Sequence, residues 1–126
     1  MALMNTYYFG KMKFNEKNPE QKKWADSLRL VFLDQKGRGQ HVNISAAAIL
    51  KASKKQRVAL EFIEWLTSPE AQLLYTEVNY EYPVNPEVNP SEEVASWGKF
   101  KMDQVSLTDI AKNTPLAQMI INETGW

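Results

Sequence analysis

Three prolines fall within eight residues, at Pro83, Pro86 and Pro90. Proline locks φ, carries no backbone N–H, and biases the residue before it away from helix. Residues 79–90 are therefore expected to be an extended crossing segment, which divides the helical patterns of the chain. Ahead of it, Lys55–Thr67 is the clearest helix, with Val58, Ala59, Phe62, Ile63 and Leu66 on one apolar face. Ser68-Pro69-Glu70 stops that helix and starts a second over Pro69–Glu77, with Ala71, Leu74 and Val78 expected inward. Beyond the prolines the spacing predicts a short helix at Ser91–Trp97 and a weak one at Thr108–Lys112. A last helix is expected to be capped by Thr114-Pro115 and to stop at Gly125, with Leu116, Met119 and Ile120 inward.

The first forty residues read differently. Asn18-Pro19-Glu20-Gln21 is a helix start, with a capping Asn, Pro in the first turn and Gln placed to reach back. Trp24, Ala25 and Leu28 lie on one side of it. Leu28–Leu33 suggests a short buried strand, Lys36–Gln40 a turn, and His41–Leu50 a further strand region. The inventory is about five helices and two or three short strands. Strands so few and so separated cannot satisfy their own backbone groups, which must find partners elsewhere. The length still permits a core: a compact chain of this size exposes about 6,900 Å², against about 21,000 Å² unfolded.

Composition removes several functions. Fifteen Lys and Arg balance fifteen Asp and Glu, which argues against nucleic acid or an acidic membrane as the main partner. The absence of cysteine excludes disulfides, Cys-ligated zinc, iron–sulfur clusters and a thiol nucleophile. One histidine, His41, argues against a multi-His metal site or a Ser-His-Asp arrangement. No nucleophile–base pair, metal-water site or phosphate loop is present, so an enzyme is not expected. The longest apolar run, Ala46–Leu50, is far short of a membrane span.

Tyr7 and Tyr8 carry the most chemistry. Phenolate is a hard anionic donor suited to hard cations such as Fe(III). Free tyrosine loses its proton only near pH 10, so two adjacent phenolates at neutral pH need a strong positive charge. Neighbouring residues share no face of a regular element. Both could reach one ion where a loop opens into a helix, with Asn5 and Thr6 as caps and the helix dipole favouring anions. From the residues alone two readings stay open: a metal pair, or two half-buried aromatics at the end of a strand. Met1-Ala2-Leu3-Met4, just ahead, reads either as the end of an interrupted strand or as an ordinary short one. No export-signal pattern precedes the motif.

The other candidates read as structural. His41 is expected to be a hydrogen-bonded strand histidine. Tyr80 and Tyr82 are expected to anchor the extended segment. Glu92-Glu93 meets the dipole of the helix it begins, and Lys51–Arg57 is a solvated loop and helix start.

Asn5-Thr6-Tyr7-Tyr8-Phe9-Gly10-Lys11-Met12 resembles the tyrosine motif of bacterial periplasmic ferric-ion-binding proteins, the substrate-binding components of iron(III) ABC importers. Gly37–Ser45, Leu60–Gln72 and Val78–Pro86 resemble further segments of that family in the same order, and Pro115–Ala117 with Glu123–Trp126 resembles its C-terminal helix. The resemblance implies an α/β class: a helix-rich C-terminal portion of a two-lobed periplasmic-binding-protein (transferrin-like) fold. It implies that residues 1–36 and 91–126 belong to one lobe and that 37–90 crosses to the other. It implies Fe(III) held by Tyr7 and Tyr8, a synergistic anion in the full-length parent, periplasmic location and an ABC permease as partner. The remaining ligands and the N-terminal lobe would lie outside this chain. An octahedral ferric site wants six donors, so the chain alone is expected to bind iron weakly or not at all. Two other functions remain open: a binding protein of this fold for another small anion, and a truncated interaction module that needs a separate partner chain.

Overall fold

The computed structural model describes residues 2–125, so Met1 and Trp126, with the readings that touch them, lie outside the described residues. Six helices follow one another: α1 (Thr6–Lys13), α2 (Pro19–Asp26), α3 (Gln56–Leu66), α4 (Pro69–Val78), α5 (Glu92–Ser96) and α6 (Leu107–Thr124). Two compact units are present. One joins the chain up to Val31 with Asn43–Lys99, and the other joins Phe32–Val42 with the chain from Phe100.

In the first unit the helix starts follow the cap chemistry. The Asn18 side chain accepts from Glu20 N at 3.2 Å, ahead of Pro19 at the first position of α2. Gln21 does not reach back; its Oε1 accepts from the Asn15 amide at 2.7 Å. Ser68 and Ser91 cap α4 and α5 through bonds from Ala71 N and Val94 N. At α1, Asn5 holds the cap position but makes no side-chain cap bond; its amide donates to the Tyr7 hydroxyl at 3.2 Å.

The covered face of α4 is not the expected one. Ala71 is buried, but Leu74 and Val78 are exposed, and the other buried positions are Gln72 and Thr76. The reason is the proline segment, whose polar backbone groups have no ladder to join. Gln72 donates to the Leu66 carbonyl and accepts from Val84 N, each at 2.7 Å. One turn later the Thr76 hydroxyl accepts from Ser91 N at 2.8 Å, and its carbonyl accepts from Ser91 Oγ at 2.9 Å. A polar ladder on α4 thus fastens the middle of the proline segment, at Val84, and the residue that follows it, Ser91. Thr76→Val keeps the shape but strands the Ser91 N–H; a loss of about 1–3 kcal/mol is expected in urea unfolding. An unchanged midpoint would show that water replaces the hydroxyl.

The strand expectations are not met: among the described residues no strand forms. The extended regions 28–33 and 41–50 have no paired strand alongside, and Val31 is 70% exposed. Without a second strand there is no ladder to hold β geometry. The apolar face of α3 is likewise uncovered, with Val58 exposed and Phe62 56% exposed. The accessible area, 10506 Å², is well above the compact-chain value. The fully buried apolar residues are few, Ala25, Ala71 and Val94 among the described ones.

The second unit is a loop and a helix. Gly39 sits at φ 107°, where an added Cβ would stand 2.6 Å from the Lys101 carbonyl oxygen. That approach lets Gln40 N donate to Lys101 O at 2.8 Å and Asp103 N to Gln40 O at 2.9 Å, an isolated parallel bridge. Phe32 stacks on Phe100 at 4.4 Å. The two short C-terminal helices of the sequence reading are one helix, α6, which runs through Pro115. It begins at the Ser106 cap, not at Thr114. Asn113 Nδ2 and Thr114 Oγ1 bond the Asp109 and Ile110 carbonyls in the turn before the proline, whose missing N–H falls opposite the Ala111 carbonyl. Gly125 ends α6 in the left-handed conformation, as expected. No described helix is long and apolar enough to cross a membrane.

Candidate functional site

The geometry of α1 follows from its seating. Residues advance about 100° around a helix per position. Phe9 and Lys13 therefore share one stripe, and Gly10 and Phe14, the residue that closes the helix, share the next. Both stripes are docked. Phe9 meets the Trp97 ring edge-on at 6.0 Å, and Lys13 Nζ pairs with Glu93 Oε2 at 2.7 Å. Phe14 stacks on Tyr80 at 5.5 Å, and Gly10 lies so close beneath Tyr80 that an added Cβ would stand 2.7 Å from the Tyr80 Cβ. Tyr80 reaches that place with φ at 60°, a conformation rare for an aromatic residue and a site of backbone strain.

With that arc occupied, Tyr8 and Lys11 fall on the free side of the helix, while Tyr7, only about 20° around from Phe14, borders the docked arc and is half-buried. Tyr8 is 51% exposed. The two phenol rings lie 4.4 Å apart, tilted by 46°. The pair thus sits in the first turn of a helix, as the loop-into-helix reading expected, and not at the end of a strand. Lys11 Nζ stands 5.0 Å from the centre of the Tyr7 ring. A hydrogen bond with Tyr7 holds Tyr8 above the ordinary phenol range, helped by mutual repulsion of the two phenolates and by slight desolvation. At neutral pH Tyr8 is therefore a phenol, and a cation that binds it as phenolate must displace its proton.

The remaining candidates occupy other places. Tyr80 and Tyr82 anchor the proline segment, Tyr82 edge-on to Trp97 at 6.1 Å. Burial raises both phenols above the usual range, with the Glu93 carboxylate adding to the effect at Tyr80. A raised folded-state value means the folded chain holds the proton more tightly than the unfolded chain does. The associated stability is complete below about pH 10 and is lost as pH rises through the folded values. Melting temperature should therefore fall in alkali, and fall less in Tyr80→Phe; equal alkaline loss in the variant would contradict this. His41 is exposed, and only its backbone carbonyl is engaged, by Gln40 Nε2. It is thus not the hydrogen-bonded strand histidine expected, because no strand forms around it. Lys51, Lys54, Lys55 and Arg57 are exposed, and Arg57 pairs with Glu61 at 3.2 Å. Glu92 and Glu93 lie in the first turn of α5 as expected. The bonds from Glu93 to Lys13 and Trp97 had no sequence signal. Among the described residues no group of three or more His, Cys, Asp or Glu could hold a metal ion.

A family model for bacterial extracellular solute-binding proteins matches residues 2–102. Iron uptake protein A1 of Synechocystis sp. is 40% identical over 126 residues, which is all of this chain and 35% of that protein. Among solved structures, a ferric binding protein from Campylobacter jejuni superposes with a TM-score of 0.91 at 44% identity, over 98% of this chain and 39% of the other. A Trichodesmium protein in complex with iron and citrate ligands superposes with a TM-score of 0.90 at 36% identity, over 98% and 39%. The chain therefore spans little more than a third of the length of the proteins it matches.

Proposed function

We propose a ferric-iron role for this chain from one premise: it belongs to the family of bacterial extracellular solute-binding proteins. Within that role, Tyr7 and Tyr8 are two phenolate donors to Fe(III). The observation that carries this reading is the placement of both phenols in the first turn of the docked helix α1, their rings 4.4 Å apart, with Tyr8 on the free side and Tyr7 at the edge of the docked arc. Two hard oxygen donors suit a trivalent cation, and the positive end of the helix dipole adds to the favourable field.

Two phenolates fill two of six octahedral positions. The other donors come from further polypeptide, the N-terminal lobe, and from a synergistic anion. The citrate reported with the Trichodesmium neighbour is consistent with such an anion. The exposed apolar faces of α3 and α6 support the need for further polypeptide. The lobe division follows as part of the same proposal, with residues 1–36 and 91–126 in one lobe and 37–90 crossing to the other. The complete protein is a non-enzymatic periplasmic carrier that delivers iron to an ABC permease.

Ferric nitrilotriacetate tests the reading on the chain itself, because the chelator supplies four donors and leaves two positions open. Titration should raise a visible phenolate-to-iron charge-transfer band that saturates at one iron per chain. No band at saturating ferric chelate would overturn the assignment.

A further inference from the structure

We propose that Glu93 is a positioning residue for the Tyr7–Tyr8 pair, acting through Lys13 and Trp97 to fix the rotation of α1. The role rests on the reading of Tyr7 and Tyr8 as the iron-binding pair.

Glu93 is 14% exposed, and both of its carboxylate oxygens are used. Oε2 accepts from Lys13 Nζ at 2.7 Å, and Oε1 accepts from Trp97 Nε1 at 2.9 Å. Glu93 and Trp97 are separated by one turn, as are Lys13 and Phe9. The two pairs meet in register: Lys13 on Glu93 and Phe9 on Trp97. One contact alone would let a short helix roll about its axis. Two contacts a turn apart on one stripe, locked to each other by the Glu93–Trp97 bond, oppose that roll. Tyr80 closes the neighbouring stripe against Gly10 and Phe14. The direction in which α1 aims its phenols is therefore set on the docked side of the helix, by a carboxylate that never meets the metal. Helix α1 itself has few internal means of holding this rotation: its cap residue makes no side-chain bond, and it is eight residues long.

The test uses the whole chain with ring-labelled tyrosine, observed by NMR without metal. Glu93→Ala should shift the Tyr7 and Tyr8 ring signals toward random-coil positions. Tyr75, on α4, should not move. Glu93→Gln keeps an acceptor for one of the two donors and should shift the same signals less, which guards against loss of folding in the alanine variant. In ferric nitrilotriacetate titrations, Glu93→Ala should bind roughly tenfold more weakly, as when a group that orients a metal ligand is removed. Unchanged Tyr7 and Tyr8 signals in Glu93→Ala, or equal shifts at Tyr75, would overturn the proposal. A wild-type chain that gives no iron band would sink the ferric reading instead, and the metal-free ring signals would still decide the positioning role.

Discussion

Tyr7→Phe and Tyr8→Phe should each reduce the affinity of the chain for ferric nitrilotriacetate by more than about 100-fold, the upper end of what loss of a ligand-orienting group costs. The double variant should show no charge-transfer band. Phenylalanine keeps the ring and its contacts but removes the oxygen, so the change isolates ligation from packing. The two rings lie 4.4 Å apart, and Tyr7, at the edge of the docked arc, also accepts from the Asn5 amide, a bond worth about 1 kcal/mol that Tyr7→Phe removes. The unfolding midpoint should therefore stay near wild type in Tyr8→Phe and fall only slightly in Tyr7→Phe, while iron binding disappears. If both single variants retained the band at wild-type strength, iron would be bound elsewhere.

Gly10→Ala should destabilise the first unit by about 2 kcal/mol. Helix propensity alone predicts the opposite sign, because alanine in a helix interior is better than glycine by about 1 kcal/mol. The added methyl, however, falls against Cβ, Cγ and Cδ2 of Tyr80. These atoms lie at the root of the side chain, and Tyr80 is held by its left-handed backbone and by its stack on Phe14. Relief would require α1 or the proline segment to shift, and overpacking of this kind costs up to about 3 kcal/mol. The clash outweighs the propensity gain. Thermal and urea unfolding check the sign: a stabilised alanine variant would mean that Tyr80 turns aside freely.

The helices were legible because their signals are local. Asn18-Pro19, Ser68-Pro69 and Ser91 each place a capping oxygen ahead of a helical turn, and the structure uses all three. The break at residues 79–90 was legible for the same reason, since proline acts on its own backbone. Pro115 shows the limit of that logic. Its local signal is that of a helix start, yet α6 runs through it, because the helix already begins at the Ser106 cap about two turns earlier. What needed a distant partner was not legible. Leu28–Leu33 has strand composition, but a strand exists only beside another. Helix α4 buries Gln72 and Thr76 in place of Leu74 and Val78, because the proline segment needs hydrogen bonds more than it needs apolar contact.

The candidate site divides along the same line. For Tyr7 and Tyr8 the residues alone leave two readings open, and it is the resemblance of residues 5–12 to a family motif that points to metal. The frame that aims them was not legible. Gly10 is an ordinary helix glycine in the sequence, Lys13 and Glu93 are eighty positions apart, and nothing local announces a tyrosine at φ 60°.

Resonance Raman spectroscopy of the ferric-loaded chain, excited within the visible band and repeated with ring-deuterated tyrosine, tests the central claim most directly. Iron-bound tyrosinate modes that shift on deuteration and vanish in Tyr7→Phe/Tyr8→Phe are the predicted result. A band without tyrosinate modes, or modes that survive in the double variant, would contradict it.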